Sequence, residues 1–360
     1  MQNIAPALLA WFYQNKRLLP FRTDPSPYHV WLSEIMLQQT RVSAALPYYE
    51  RFLAELPTIA DLAACPEEKL HKLWEGLGYY SRVRNLQKAA RIVCEQYGGA
   101  LPADYAALRA LPGIGEYTAG AIASISFGIP VPAVDGNVLR VFARLYGDDG
   151  NIMDPAVKRR FTVWVTEHQP QDRPGDYNEA LMELGALVCL PNGAPLCGEC
   201  PLAAQCRARQ QGTQLSLPVK TKPKPRRVSE VTLVLVQSPD GVLLQRRPDA
   251  GLLAGLWQPV LWEDSRLSAE EAAARLDALG VQLAVPYTLR GGALPLGQPL
   301  PAAKHIFSHV EWRLGGWQFA ALRQPAPEGF VWASAAQLQA EYALPNAFKA
   351  YKPLLQQPQP

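Results

Sequence analysis

No stretch of the 360-residue chain approaches the ~18 consecutive apolar residues that a membrane-spanning helix needs. Its opening, MQNIAPALLAWFYQNKRLLPF, lacks the basic start, apolar run and small-residue cleavage site of a secretory leader. A soluble, intracellular protein with no membrane partner is therefore expected. Charge imbalance is also scarce: the formal net charge is only +3, so bulk charge does not argue for nucleic acid, and local clusters must decide. There is no internal repeat, and no low-complexity tract beyond one basic, Pro-rich connector. Cysteine is sparse and uneven. Six residues would allow three disulfides, yet Cys189, Cys197, Cys200 and Cys206 crowd together while Cys65 and Cys94 stand alone in helix-like sequence. That clustering points to a metal site in a reducing compartment.

What is present suffices for two cores, because the chain is 48% hydrophobic over 360 residues. Apolar residues recur at helical spacing from about residue 5 to 210, as in EKLHKLWEGLGYYSRVRNLQKAARIVCEQY and NEALMELGALVC, with Pro or Gly at the breaks. This predicts an all-α domain over 1–210. The periodicity then disappears in QQGTQLSLPVKTKPKPRR, and residues 211–227 are predicted to be an extended connector. Beyond it, VTLVLVQ and GVLLQRR read as strands around the turn SPDG, SAEEAAARLDALG as a helix, and HVEWRLGGWQFAAL as strands again. The second domain, 228–355, is predicted to be α+β.

Four local patterns carry chemistry. In LPGIGEYTAG, Gly113 and Gly115 would adopt backbone angles closed to other residues and aim bare N–H groups of the next helix at an anion. No strand precedes the turn, so a single DNA phosphate suits it better than a dinucleotide. The same PGIG could equally be a plain helix–helix turn. Asp135 in VPAVDGNVLRV stands twenty residues after Gly115, directly before an amphipathic helix, where an N-cap role would need no chemistry. Glu34 in WLSEIMLQQTRV adjoins Ile35, Met36 and Leu37; burial there would raise its pKa and keep it protonated near neutral pH, although a surface glutamate on one helical stripe fits as well. The four clustered cysteines have seven, two and five residues between them, with only one Cys-x-x-Cys, whereas zinc sites more often use two short pairs.

A helix–hairpin–helix followed by a Gly/Pro-rich loop and an aspartate resembles the helix-hairpin-helix DNA glycosylase superfamily. The cysteine loop, 189–206, is similar to the [4Fe–4S] loop of its endonuclease III and MutY branches, with one residue more in the first gap. WLSEIMLQQTRV, GLGYYSRVRNL and NEALMELGALVC together resemble the adenine DNA glycosylase (MutY) family. The resemblance implies a monofunctional base-excision enzyme that hydrolyses the glycosidic bond of adenine opposite 8-oxoguanine or guanine in double-stranded DNA, preventing G:C to T:A transversions. It would be a monomer of bacterial cytoplasmic type, acting at the nucleoid. Glu34 would be the acid/base and Asp135 the stabiliser of the oxocarbenium-like sugar, with Asn137 and Tyr117 positioning the pair. Arg22 and Glu179 would contact the extruded adenine. Gln39, with Thr40 beside it, would wedge into the gap left by the flipped base, and Leu77 and Tyr79 would pack against the opposite base. Cys189, Cys197, Cys200 and Cys206 would hold the cluster, in a structural role.

GVLLQRRPDAGLLAGLWQPV resembles the carboxy-terminal domain of the same family, itself similar to Nudix hydrolases. AEEAAARLDALGV keeps the helix and glycine of a Nudix box but loses the Arg-Glu and most acids, which implies binding without hydrolysis. FSH, Phe307 to His309, matches the loop that reads 8-oxoguanine, with Ser308 addressing the Hoogsteen edge and His309 assisting; by itself it is also a polar turn between strands. Three rival readings are an endonuclease III-like lyase, a Nudix pyrophosphohydrolase and a non-enzymatic lesion binder. The first needs a lysine for its Schiff base, in the family at the position occupied here by Tyr117.

Overall fold

The structure is a computed structural model that describes residues 2–221, 225–284 and 297–355; residues 222–224 of the expected connector lie outside these. Packing divides the chain into two units, Met1–Ala64 with Arg84–Pro223, and Cys65–Val83 with Lys224–Pro360.

The first unit has no strand among the described residues. The helix Pro174–Leu187 packs against Ala5–Asn15, Glu116–Phe127 and Gly136–Tyr146, and Glu116–Phe127 packs in turn on Pro27–Leu37. Phe12, Phe142, Phe161 and Tyr177 are fully buried in one core, each stabilising the fold by about 2–3 kcal/mol relative to an exposed ring. Close approach is needed on the other side of Glu116–Phe127: a Cβ on Gly120 would lie 2.3 Å from the carbonyl oxygen of Pro132. The loop after that helix is held by Asn178, wholly buried, whose Nδ2 donates to Ser124 Oγ (2.8 Å) and the Val131 carbonyl (2.9 Å) while its Oδ1 accepts from Ala133 N–H (3.1 Å). Asp135 follows two residues later and begins the helix Gly136–Tyr146.

In the second unit, β1 (Arg227–Ser238), β2 (Gly241–Arg246), β3 (Trp257–Glu263), β4 (Gln298–Ile306), β5 (Val310–Ala320) and β6 (Phe330–Ala333) form one sheet in the order β4-β5-β1-β3-β2-β6. Only β1 and β5 run parallel; the other pairs are antiparallel. The largely apolar run of β1, Val231 to Val236 with Thr232 within it, reflects burial on both faces. Val231, Leu233 and Leu235 join Phe348 and Tyr351 on one side, while Val234 and Val236 meet Ala272 and Leu276 of the helix Ala269–Ala278 on the other.

The segment Cys65–Val83 reads as helical, and its helix Glu67–Leu73 packs with this second unit. Lys72 Nζ donates to the Leu338 carbonyl (2.9 Å), Asn346 Nδ2 to the Gly76 carbonyl (2.9 Å), and Lys352 Nζ pairs with Glu75 at 2.5 Å. Burial alone would push the Glu75 carboxyl up, but Lys352 and Lys72 outweigh it and hold the group below its ordinary range.

Candidate active site

An open cleft of about 1170 Å³ in the first unit is bordered by Arg22, Glu34, Gln39, Tyr117, Asp135 and Glu179. Thr40, Asn137 and Gly115 border it too. Residues from both ends of the helical run thus meet around one space.

Glu34 sits two turns into the helix Pro27–Leu37, whose residues from Val30 to Met36 are all buried, itself included. Burial raises its pKa to about 7, the Tyr117 hydroxyl bond opposes the rise, Asp135 and Glu179 add to it, and Arg22 opposes it. Tyr117, near the start of the helix Glu116–Phe127, bonds the Glu34 carboxyl and lies 3.4 Å from Met182 Sδ. Burial and its acidic neighbours keep that phenol far above its usual range, hence neutral.

Asp135 is an N-cap and something more. One carboxylate oxygen, Oδ1, accepts from the Val138 N–H at 2.8 Å, and Oδ2 accepts from Asn137 Nδ2 at 2.7 Å. Asn137 Oδ1 accepts in turn from Arg140 Nη2 at 2.8 Å, so the amide is fixed at both ends. Burial dominates and leaves the Asp135 carboxyl above its ordinary range, while the Val138 and Asn137 hydrogen bonds and Arg140 oppose that rise. Two acids therefore share the cleft, but only Asp135 has donors aimed at its ionised form from a helix N-terminus.

Arg22 and Glu179 are also paired: Arg22 Nε donates to Glu179 Oε1 at 3.0 Å. Sequence reasoning missed their neighbours Arg17, Met182 and Glu183. Glu183 is completely buried and accepts from Arg17 and from Arg22. A signal was available in NEALMEL, where Glu179 and Glu183 recur four residues apart on a largely apolar helix with no cation beside them on that helix.

Gly113 has φ +78, and a Cβ there would lie 2.8 Å from Asn85 Cβ, so the hairpin needs glycine at that point. Gly115 corrects the expectation: its φ of −87 is an ordinary extended value and its Cβ position is open, because it serves as N-cap and not as the bend. Among the described residues four non-glycines have positive φ, and two of them are Gln39 (58) and Tyr79 (48), a conformation that costs about 1 kcal/mol or more and collects at functional sites. Tyr79 is exposed, while Leu77 is buried.

The four clustered thiols border one small apolar cavity. Among the described residues no three His, Cys, Asp or Glu side chains are disposed to hold a metal ion. Buried Arg144 donates to Cys189 Sγ at 3.3 Å, which suits anionic sulfur. Burial first, then its three thiol neighbours, push Cys200 up to about 11. Between Cys189 and Cys197 the residues 191–194 are exposed, and Gly193 has φ +73.

In the second unit Phe307 is an anchor, its ring edge-on to Trp312 (4.9 Å) and His305 (4.5 Å), and its N–H donates to the Val310 carbonyl at 2.8 Å. Ser308 and His309 are left exposed at the tip between β4 and β5, Ser308 Oγ 3.3 Å from His309 Nδ1. The glutamates kept from the Nudix-like helix are used locally: Ser268 N–H donates to Glu271 Oε2 and Ser268 Oγ to Glu270 Oε2, both at 2.8 Å, capping that helix.

Residues 32–167 match the family described as HhH-GPD superfamily base excision DNA repair protein, and residues 231–352 match the NUDIX domain family. The chain is 38% identical over 317 residues to the adenine DNA glycosylase of Homo sapiens, covering 72% of this chain and 58% of that one. It is 37% identical over 386 residues to that of Mus musculus (90% and 72%), and 37% identical over 357 residues to that of Arabidopsis thaliana (86% and 56%). The chain thus spans from just over half to about three quarters of these relatives' lengths. Among solved structures it is similar to a thermostable thymine-DNA glycosylase (TM-score 0.52, 27% identity, 57% of this chain and 94% of that one). It is likewise similar to endonuclease III in a non-covalent DNA complex (TM-score 0.50, 25% identity, 59% and 98%).

Proposed function

Because the chain belongs to the adenine DNA glycosylase family, we propose that it excises adenine mispaired with 8-oxoguanine or guanine in duplex DNA, by hydrolysis and without cutting the strand. One observation carries the reading: a buried carboxyl, Glu34, titrates at about 7 in the same cleft as Asp135. An acid poised near neutrality is matched to protonating a leaving base, and its conjugate base to drawing a proton from water. Asp135, held by donors that favour its charge, faces the positive character that develops on the sugar as the bond breaks. Tyr117 offers a hydroxyl and no amine, so the Schiff-base chemistry of a lyase has no nucleophile at that position.

Arg22 and Glu179 supply a donor and an acceptor suited to an adenine edge, and Gln39 with Thr40 lines the mouth through which the base would leave the stack. Gly113 and Gly115 bring the N–H groups of the helix Glu116–Phe127 to a DNA phosphate. Ser308 and His309 read 8-oxoguanine from their exposed turn, with Tyr79 and Leu77 against the same base. Cys189, Cys197, Cys200 and Cys206 would hold a [4Fe–4S] cluster, whose contribution is to shape the loop they occupy. The same duplex is addressed by a monomer of cytoplasmic type.

The test uses purified protein and duplexes containing A opposite 8-oxoguanine, or thymine glycol, resolved with and without alkali. Strand cuts at A that require alkali are the expected result. Cuts without alkali, or at thymine glycol only, would overturn the proposal. A second measurement concerns Tyr117. Its hydrogen bond lowers the Glu34 pKa, so in Tyr117→Phe the acid stays protonated to higher pH, and the alkaline limb of the rate profile should move upward. An unmoved limb would disconnect Tyr117 from the acid.

A further inference from the structure

We infer that Glu183 is a positioning residue for base selectivity: it neutralises Arg22, and so leaves a Glu179 oxygen free to accept a hydrogen bond from the amino group of the extruded base. The inference rests on the proposed role of Arg22 and Glu179 and extends it to a residue outside that pair.

The geometry separates the two glutamates. Glu183 Oε1 accepts from the Arg17 N–H (3.0 Å) and Arg17 Nε (2.7 Å), and Oε2 from Arg17 Nη2 (2.7 Å) and Arg22 Nη2 (2.8 Å). Both of its oxygens are saturated, its side chain is 1% exposed, and these cations pull it down to about 2 against the effect of burial. It is therefore a permanent anion with nothing left to offer a ligand. Glu179, 17% exposed at its side chain, accepts among the described residues only the Arg22 Nε bond, and on one oxygen. Arg22 is fixed from three directions, since its Nη1 also donates to the Arg17 carbonyl at 3.2 Å.

An arginine and a carboxylate left to themselves favour a two-pronged pairing that occupies both oxygens. Here Glu183 takes one prong of Arg22, and Glu179 is bound through a single one. The freed oxygen is an acceptor, which suits the N6 amino group of adenine and opposes the O6 of guanine. Without the charge on Glu183, Arg22 would turn fully onto Glu179 and consume it. Arg17 would also be left beside Arg22 with no shared anion.

The experiment measures single-turnover release of adenine and of unsubstituted purine, which lacks the amino group, each opposite 8-oxoguanine. The ratio of the two rate constants cancels effects common to both bases. In Glu183→Gln the adenine-over-purine ratio should fall by about tenfold or more, because the site no longer holds a free acceptor for the amino group. Arg17→Met is the second variant. It removes two side-chain bonds to Glu183 but leaves Glu183 to share Arg22, so the ratio should stay within about twofold of the unmodified protein, with a lower melting temperature. An unchanged ratio in Glu183→Gln overturns the inference, as does a collapsed ratio in Arg17→Met, which would make the network a scaffold only. If Glu183→Gln does not fold, the double variant Arg17→Met/Glu183→Gln, which leaves no unpaired Arg17, takes its place: a fall of about tenfold in the ratio supports the inference and an unchanged ratio overturns it. If the unmodified protein releases no adenine, the functional reading fails first, an outcome distinct from either.

Discussion

Glu34→Gln should reduce single-turnover adenine release by about 10³-fold at pH 7, within the range ascribed to a positioned general acid–base. Glutamine keeps the shape of the side chain and can still bond Tyr117, but it can neither deliver nor withdraw a proton. Duplex binding should be largely retained. The pH profile of the unmodified protein supplies a second check. Glu34 titrates at about 7, so the form able to protonate the base is lost as pH rises through that value, and release should slow on the alkaline side. The sign for stability is opposite to that of an ordinary paired carboxylate. Raising the folded pKa from 4.5 to about 7 means that the ionised group costs the fold about 3 kcal/mol above pH 7, a cost absent below 4.5. Glu34→Gln removes that cost, and its melting temperature at pH 8 should equal or exceed that of the unmodified protein. A variant that is inactive because it is unfolded would show the reverse. Full activity in Glu34→Gln would sink the mechanism outright.

Asp135→Asn should lower the rate by about 10²–10³-fold, the usual effect of losing one preorganised electrostatic partner of a transition state. The substitution is chosen for what it preserves. Asparagine caps a helix about as well as aspartate, so the bond from the Val138 N–H survives and the start of the helix Gly136–Tyr146 with it. What disappears is the negative charge, together with the Asn137 bond, because the new amide NH2 would face the Asn137 Nδ2 that Arg140 holds in place. Thermal melts should fall less than in Asp135→Ala, because the helix cap is kept while the Asn137 bond is lost. Asp135→Ala, by contrast, should lose the rate and also about 1 kcal/mol of stability. If Asp135→Asn were fully active, the residue would be a cap and nothing else, the plain reading that its position before a helix always allowed.

The division between what was legible in the chain and what was not follows the range of the forces involved. The bend at Gly113, the helix in SAEEAAARLDALG, the strand VTLVLVQ and the crowding of four cysteines depend on residues a few positions apart. Turn geometry, helix caps and strand alternation act over that distance, so the amino-acid order alone determined the all-α and α+β division, the cysteine loop and the helix start at Asp135. Even there one reading failed locally: Gly115 takes an extended backbone because the bend is completed one glycine earlier.

Tertiary structure alone decided the rest. A helical stripe such as EKLHKLW states that a face will be buried but not against which core, and only packing assigns Cys65–Val83 to the unit that contains the sheet. Likewise, the pKa of Glu34 depends on desolvation and on Tyr117 and Asp135, groups far along the chain, whose electrostatic effect exists only once the fold excludes water between them. Arg17 and Arg22 meet Glu183 across 166 and 161 residues. No local periodicity encodes such a meeting, because its energy comes from burying charges together, and burial is a property of the completed fold.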